Sequence, residues 1–362
     1  MELAMDKNLT QAIELIEHEP GAFLKKVFVG LSDLGHREME LFQAAWDQWS
    51  LARRQQLMAA LFDYAQDHIE ADYTAIFLWA LDDADPVVRY AAIEGLWEDD
   101  DEPLMQRFIH LLRTDLDERV RAAAAEALGR FVLLGEYEEI PNAAAADALE
   151  TLLAALTSET EADSVKQAAL ETIGFSSDKR VRPLIRDAYD DEDELMQASA
   201  LRAMGNSVDS HWNPYVRREL ESHSAVKRAA AAYAAGELEL TTAIPRLLLL
   251  LQDPDVATRR AAVHALGAIG GSTARKALQL VIGSDDEDLR PYAVEALEIL
   301  DFNRIDIAVH DDDEPEDERD DEGDEDDEFD LDFDAAFDRD FDDDLDDDDF
   351  AETDLDDDDD AY

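Results

Sequence analysis

The phrase that ends at residue 174 ends again at 205, 236, 267 and 298, four successive steps of 31 residues. "SVKQAALETIG" (164–174), "LMQASALRAMG" (195–205), "VKRAAAAYAAG" (226–236), "ATRRAAVHALG" (257–267) and "DLRPYAVEALE" (288–298) are versions of one text. Upstream, "VVRYAAIEGLW" (87–97) and "RVRAAAAEALG" (119–129) are separated by 32 residues, and the next step is 45. The longer step is one repeat plus an insertion around residues 131–145. A period of this size means stacked supersecondary units, none able to bury its apolar face alone.

Each unit reads as two helices. The second is the recurring phrase. The first is the apolar segment ahead of it, such as "RVRPLIRDAYD" (180–190) or "AIPRLLLLLQD" (243–253). No stretch alternates with period two between turn residues, so strands are not expected. The many alanines let helix axes approach closely, while Val, Leu and Ile fill the seam. Asp85, Asp117, Asp193, Asp255 and Asp286 each stand four residues before the recurring basic position. An aspartate there caps free N–H groups and complements the helix dipole, and Pro86 occupies the favoured first helical position. Gly129, Gly174, Gly205, Gly236 and Gly267 close the phrase. A left-handed glycine capping the last carbonyls is expected at each. Trp97 and Glu298 replace it at the two ends of the series.

The pattern D-x-x-V-R-x-x-A-x-x-A-L-G after an apolar helix, as in "DADPVVRYAAIEGLW" and "DLDERVRAAAAEALG", resembles the HEAT-like repeat family. In particular it is similar to the subtype named after phycobilisome lyases. The resemblance implies an all-α, right-handed α-solenoid used for protein–protein interaction, and it specifies fold far more than function. The expected organisation is a helical N-terminal cap or degenerate repeat over 1–80, a repeat array over 81–308 and a disordered acidic tail over 309–362.

The tail expectation rests on charge. From Asp311 onward there are 34 acidic residues and two arginines, against a net charge of -60 for the whole chain. Such a stretch repels itself and buries too little apolar surface to order. Phe329, Phe333, Phe337, Phe341 and Leu345 are spaced by four within it. They read either as scattered residues of a solubilising tail or as a stripe that folds on a partner. The overall charge opposes nucleic-acid and anionic-membrane partners. No apolar run nears the ~20 residues of a membrane span, and the N-terminus lacks a signal pattern. With no cysteine, disulfides and zinc–thiolate sites are excluded. A cytoplasmic location and a monomeric chain are expected.

Catalytic and metal signals are lacking. The eight histidines include no H-x-x-x-H pair, and there is no P-loop, G-x-S-x-G or G-x-G-x-x-G. Deoxyhypusine hydroxylase, a HEAT-like enzyme, holds iron with repeated His-Glu pairs. Here that pair occurs once, at His18-Glu19, outside the repeats. No catalytic, metal or cofactor residue is assigned. His264 reads as a packed or rim histidine, and Trp46, Trp49 and Trp212 read as packing residues ahead of binding ones. The recurring basic position is Arg89, Arg121, Lys166, Arg228, Arg259 and Arg290, with Gln197 interrupting it. It reads as a ladder of ion pairs to the capping aspartates of adjacent units, or as a basic track for an acidic peptide. The functional expectation is a non-enzymatic scaffold for a protein or peptide partner, modulated by the tail. A lyase-like or chromophore-handling chaperone and an acidic chaperone for basic proteins are the alternatives.

Overall fold

The computed structural model describes residues 2–18, 23–97, 99–284 and 286–311, and every regular element among them is helical. Four helices come first: α1 (Glu2–His18), α2 (Lys25–Leu31), α3 (His36–Trp46) and α4 (Leu51–Asp67). Seven pairs follow among the described residues. They are α5 (Thr74–Ala80) with α6 (Pro86–Glu94), α7 (Glu102–Thr114) with α8 (Glu118–Glu136), and α9 (Asn142–Leu156) with α10 (Asp163–Ile173). Then come α11 (Val181–Tyr189) with α12 (Glu194–Asn206), and α13 (Asn213–Glu219) with α14 (Ala225–Glu237). The last are α15 (Ile244–Leu250) with α16 (Val256–Ile269), and α17 (Gly271–Gly283) with α18 (Arg290–Asp311). The molecule is an all-α solenoid. Its chain divides into a compact unit up to Val309 and a second unit, His310–Tyr362. The expected acidic tail, with Phe329, Phe333, Phe337 and Phe341, lies outside the described residues.

The aspartates start the second helices as their spacing predicts. Asp85 accepts from the N–H groups of Val87 and Val88 at 3.1 and 3.2 Å, ahead of α6. Asp117, Asp193 and Asp255 do the same for α8, α12 and α16, and Asp286 accepts from Leu289 just before α18. Each satisfies donors that the first helical turn leaves free.

The second helices stack on one another. α14 packs against both α12 and α16, and α8 against α10, while successive first helices touch each other far less. The seam between second helices is built from buried Ala203, Ala234, Ala265 and Ala296, with Leu201 and Leu266 at its core.

The repeat glycines belong to this seam and do not cap it. Gly205, Gly236 and Gly267 lie inside α12, α14 and α16, and Gly174 follows α10 at φ -52°. A Cβ on Gly205 would sit 2.8 Å from Cα of Ala234, and one on Gly236 would sit 2.9 Å from Cα of Ala265. Gly174 and Gly267 meet Ala203 and Ala296 as closely. Glycine is needed because backbone meets backbone, which corrects the left-handed cap expected of it. The left-handed residues come three positions later, at Val208 (φ 49°), Glu239 (φ 47°) and Gly270 (φ 73°). Leu240 N–H then bonds back to Ala235 C=O at 2.9 Å, closing the end of α14 as a 6→1 helix-terminating bond.

The insertion after residue 129 is helical as well. It carries α8 on to Glu136 and buries Phe131, whose ring stands edge-on to that of Phe108 at 6.3 Å. Trp46, Trp49 and Trp212 are buried. Trp46 packs edge-on against Trp79 at 5.4 Å and donates from Nε1 to Asp83 at 2.9 Å. The tryptophans therefore join the early helices to the array and fill its core.

Candidate binding face

The recurring basic residues form a ladder. Arg89 donates to both carboxylate oxygens of Asp115 at 2.7 Å, Arg228 to both of Asp253 at 2.7 and 2.8 Å, and Arg121 to Glu161 at 2.7 Å. Arg259 approaches Asp286 at 3.5 Å. Arg54 of α4 reaches Asp83 at 2.8 Å and extends the ladder one unit earlier. With the exception of Asp286, these acceptors are not the capping aspartates. Asp83, Asp115 and Asp253 each lie two residues ahead of one and accept the N–H of the capping aspartate itself.

A second contact runs through nearly the whole series. The basic residue donates to the carbonyl six positions earlier: Arg89 to Asp83, Arg121 to Asp115, Arg228 to Ser222, Arg259 to Asp253 and Arg290 to Ser284, at 2.8–3.0 Å. Even Gln197 does so, to Asp191 at 2.6 Å. The side chain thus ties down the loop that leads into its own helix, and the charge ties the next loop. Lys166 departs from the pattern, with Asp163 at 4.0 Å as its ion pair. Because Arg89, Arg121, Arg228 and Arg259 show only 14–18% of their side chains to solvent, the geometry favours the ladder over a track.

A different column of the same helices faces outward. Three residues before the glycine position stand Glu94, Glu126, Glu171, Arg202, Tyr233, His264 and Glu295, all half-buried or exposed. From Glu171 to His264 the members are linked by contacts. Glu171 accepts from Ser199 Oγ at 2.7 Å and faces Arg202 at 3.8 Å. The Arg202 guanidinium lies 5.6 Å from the centroid of the Tyr233 ring, and that ring is stacked on His264 at 5.9 Å. Tyr233 Oη donates to Asn206 at 2.9 Å, and Asn206 donates to the Glu171 carbonyl at 2.9 Å.

The carboxylates of this row are perturbed. Burial pushes Glu94 above the usual carboxylate range. Desolvation, then the neighbouring charges of Glu94 and Glu171, push Glu126 up to about 6. Burial also raises Glu171, against the pull of Ser199 and Arg202. A hydrogen bond or ion pair to Glu94 or Glu126 is lacking among the described residues.

Glu94 and Glu126 line a cavity of about 410 Å³ with Phe62, Ile93, Trp97 and Phe108. It opens where Trp97 takes the glycine position. Asp99 and Arg130 stand at the same cavity. Beside it, Asp99, Asp100 and Asp101 bring one carboxylate oxygen each within 4.8 Å of one another. Asp99 accepts from the Asp101 N–H at 3.2 Å, and Asp100 faces Arg130 at 3.6 Å, so the trio is engaged in holding its loop.

A family model described as HEAT repeats matches residues 74–159 and 213–298. Both stretches are HEAT repeats. The two matched stretches of the HEAT array hold five of its ladder arginines, whereas Lys166 and Gln197 fall in the unmatched stretch between them. No curated protein matches the sequence. Among solved structures it is similar to human deoxyhypusine hydroxylase in complex with glycerol, at 17% identity over 83% of this chain and 98% of that one, with a TM-score of 0.34. It is also similar to the complex of CpcE and CpcF of phycocyanin lyase from Nostoc sp. PCC7120, at 20% identity over 63% and 94%, with a TM-score of 0.43. A designed armadillo repeat protein is 21% identical over 55% and 100%, with a TM-score of 0.30. Among the described residues, no helix is long and apolar enough to cross a membrane.

Proposed function

We propose that this protein is a non-enzymatic scaffold that holds a protein or peptide partner along the outward row of its second helices. One observation carries the reading. Seam and ladder positions mostly keep one residue type from unit to unit, with Trp97, Lys166, Gln197 and Glu298 as the departures, as stacking favours. The row from Glu94 to Glu295 does not: it carries Glu, Glu, Glu, Arg, Tyr, His and Glu on one continuous face. Stacking alone does not require varied, chemistry-bearing side chains at equivalent positions, and such side chains supply a partner with distinct contacts in sequence. Aromatic and arginine side chains such as Tyr233 and Arg202 are the types that dominate binding energy at interfaces. The acidic stretch beyond Val309 modulates this binding, by its charge and through Phe329, Phe333, Phe337 and Phe341.

The test is affinity capture with the full chain beside two variants. In the first, Arg202, Tyr233 and His264 are replaced by alanine. In the second, the four phenylalanines are. A partner retained by the wild type and lost from the first variant at unchanged melting temperature supports the row. A partner retained equally by both variants removes the row and the tail alike from its recognition.

A further inference from the structure

We infer that the cavity between α4, α6 and α8 is a pocket for one basic side chain, lysine or arginine, of the partner segment. The inference rests on the scaffold reading and gives the partner's chemistry at one point of the row.

The pocket exists because one residue breaks the seam rule. From Gly174 onward, a glycine lets each second helix close on the alanine of the next. At the equivalent position of α6's unit stands Trp97, 59% exposed. An indole cannot occupy the space that even a Cβ would overfill. The helix stops at Glu94, and α6 packs less heavily on α8 than α8 does on α10. What remains is the cavity, with Phe62, Ile93, Phe108 and Ala127 as apolar wall and Trp97 at its edge. Arg130 donates to the Trp97 carbonyl at 2.8 Å and so holds the indole's backbone in place.

Its charge selects the occupant. Glu94, Glu126 and Asp99 line the cavity against a single cation, Arg130, which also faces Asp100. The charged and titratable groups that bear on Glu126 from its neighbours are Glu94, Glu171, Arg202 and Tyr90. The sum is negative, and neither glutamate carboxylate has an ion pair or hydrogen bond among the described residues. A basic side chain fits both halves of such a site. Its methylene stem covers apolar wall, and its charged head meets the carboxylates and the indole face. An acidic or purely apolar residue leaves Glu94 and Glu126 desolvated and unpaired. Protonation of Glu126, whose value lies near 6, removes part of the attraction below neutral pH.

The experiment titrates the full chain with short capped peptides that differ at one central residue: lysine, arginine, glutamine or glutamate. Binding is read by calorimetry and by the fluorescence of Trp97, assigned by difference from Trp97→Phe. The acidic C-terminal stretch attracts any basic peptide, but it is common to every variant, so the comparison between variants isolates the pocket. The lysine or arginine peptide should bind the wild type about tenfold or more tighter than Glu94→Gln/Glu126→Gln, a difference of about 1.4 kcal/mol. Its affinity should fall between pH 7 and pH 5 in the wild type alone. Trp97→Gly, which restores the seam residue, should also lose the binding while remaining folded. Equal affinity for the lysine and glutamine peptides, or affinity unchanged in Glu94→Gln/Glu126→Gln, overturns the pocket. If a captured partner still depends on Arg202, Tyr233 and His264, the scaffold reading stands without it. If that dependence is absent too, both fall.

Discussion

Gly205 and Ala234 meet across the seam between α12 and α14 with no room for a methyl group, the missing Cβ lying 2.8 Å from the alanine Cα. Gly236 and Ala265 repeat the contact one unit later at 2.9 Å. In an isolated helix, glycine to alanine stabilises by about 1 kcal/mol. Here the sign reverses. Gly236→Ala should lose about 1–3 kcal/mol, because the added methyl meets backbone that cannot swing aside. Gly283→Ala, where nothing lies within 4 Å of the added Cβ, should leave stability equal or higher. Urea unfolding of the two variants checks the contrast.

Val208 is a β-branched residue held at φ 49°. That conformation costs an L-residue roughly 1–2 kcal/mol, and glycine adopts it freely. Val208→Gly should therefore raise the unfolding free energy by about 1 kcal/mol, since Val208 is 70% exposed and gives up little packing. A fall in the midpoint of denaturation would place the strain elsewhere.

The repeating basic residue has two separable jobs, and substitution can divide them. Arg228→Ala removes the bonds to Asp253 and to the Ser222 and His223 carbonyls. It leaves Asp253 buried without its cation, a loss of about 3 kcal/mol. Arg228→Gln should cost less, because Gln197 shows that glutamine still reaches the carbonyl six residues back. Both costs should show in thermal melts. A partner that depends on Arg228 in a variant of unchanged stability would return this residue to the binding surface.

Stability should have its optimum on the acid side of neutrality. Burial raises Glu94, Glu126, Glu171 and Glu237 above the 4.5 of an unperturbed glutamate, Glu126 to about 6. The folded state then holds more protons than the unfolded chain between those values, so stability falls as pH rises through that window. Asp117 and Asp178 go the other way. Hydrogen bonds from Arg119 and Arg180 hold them at about 2, against 3.8 unperturbed. Their stabilisation is lost as pH drops below about 4. The melting temperature should peak between these two windows. Glu126→Gln should flatten the decline toward pH 7.

The solenoid was legible because its signals are local and repeat. Period, capping aspartates and alanine-rich helices each point to the same unit, and the helix starts at Asp85, Asp117, Asp193 and Asp255 fall where they were read. The role of the glycines was not legible. A glycine near a helix end serves equally for a left-handed cap and for a close crossing, and the deciding neighbour lies 29 residues away in Ala203, Ala234, Ala265 or Ala296. The binding row was present in the aligned phrases but hidden by what recurs. Recurrence marks Arg89 and its equivalents, which the stack itself uses. The informative column is the one in which Glu126, Arg202, Tyr233 and His264 fail to agree, and their contacts need the helices stacked before they exist.

The interruption at Lys166 and Gln197 makes the array a chain with a weak link. The rungs at Arg89–Asp115 and Arg121–Glu161 secure one side of it, and Arg228–Asp253 and Arg259–Asp286 the other. Between them Lys166 holds only Asp163 of its own helix, and Gln197 carries no charge to the next loop. In a repeat protein, stability is approximately a sum over neighbouring units, so a join without a ladder rung opens more easily than one of similar packing that has it. Among the joins from α8 to α16, the one around α10–α12 should open first under heat or force, leaving two blocks that retain their own stacking. Backbone amides there should exchange with solvent ahead of those in α14 and α16.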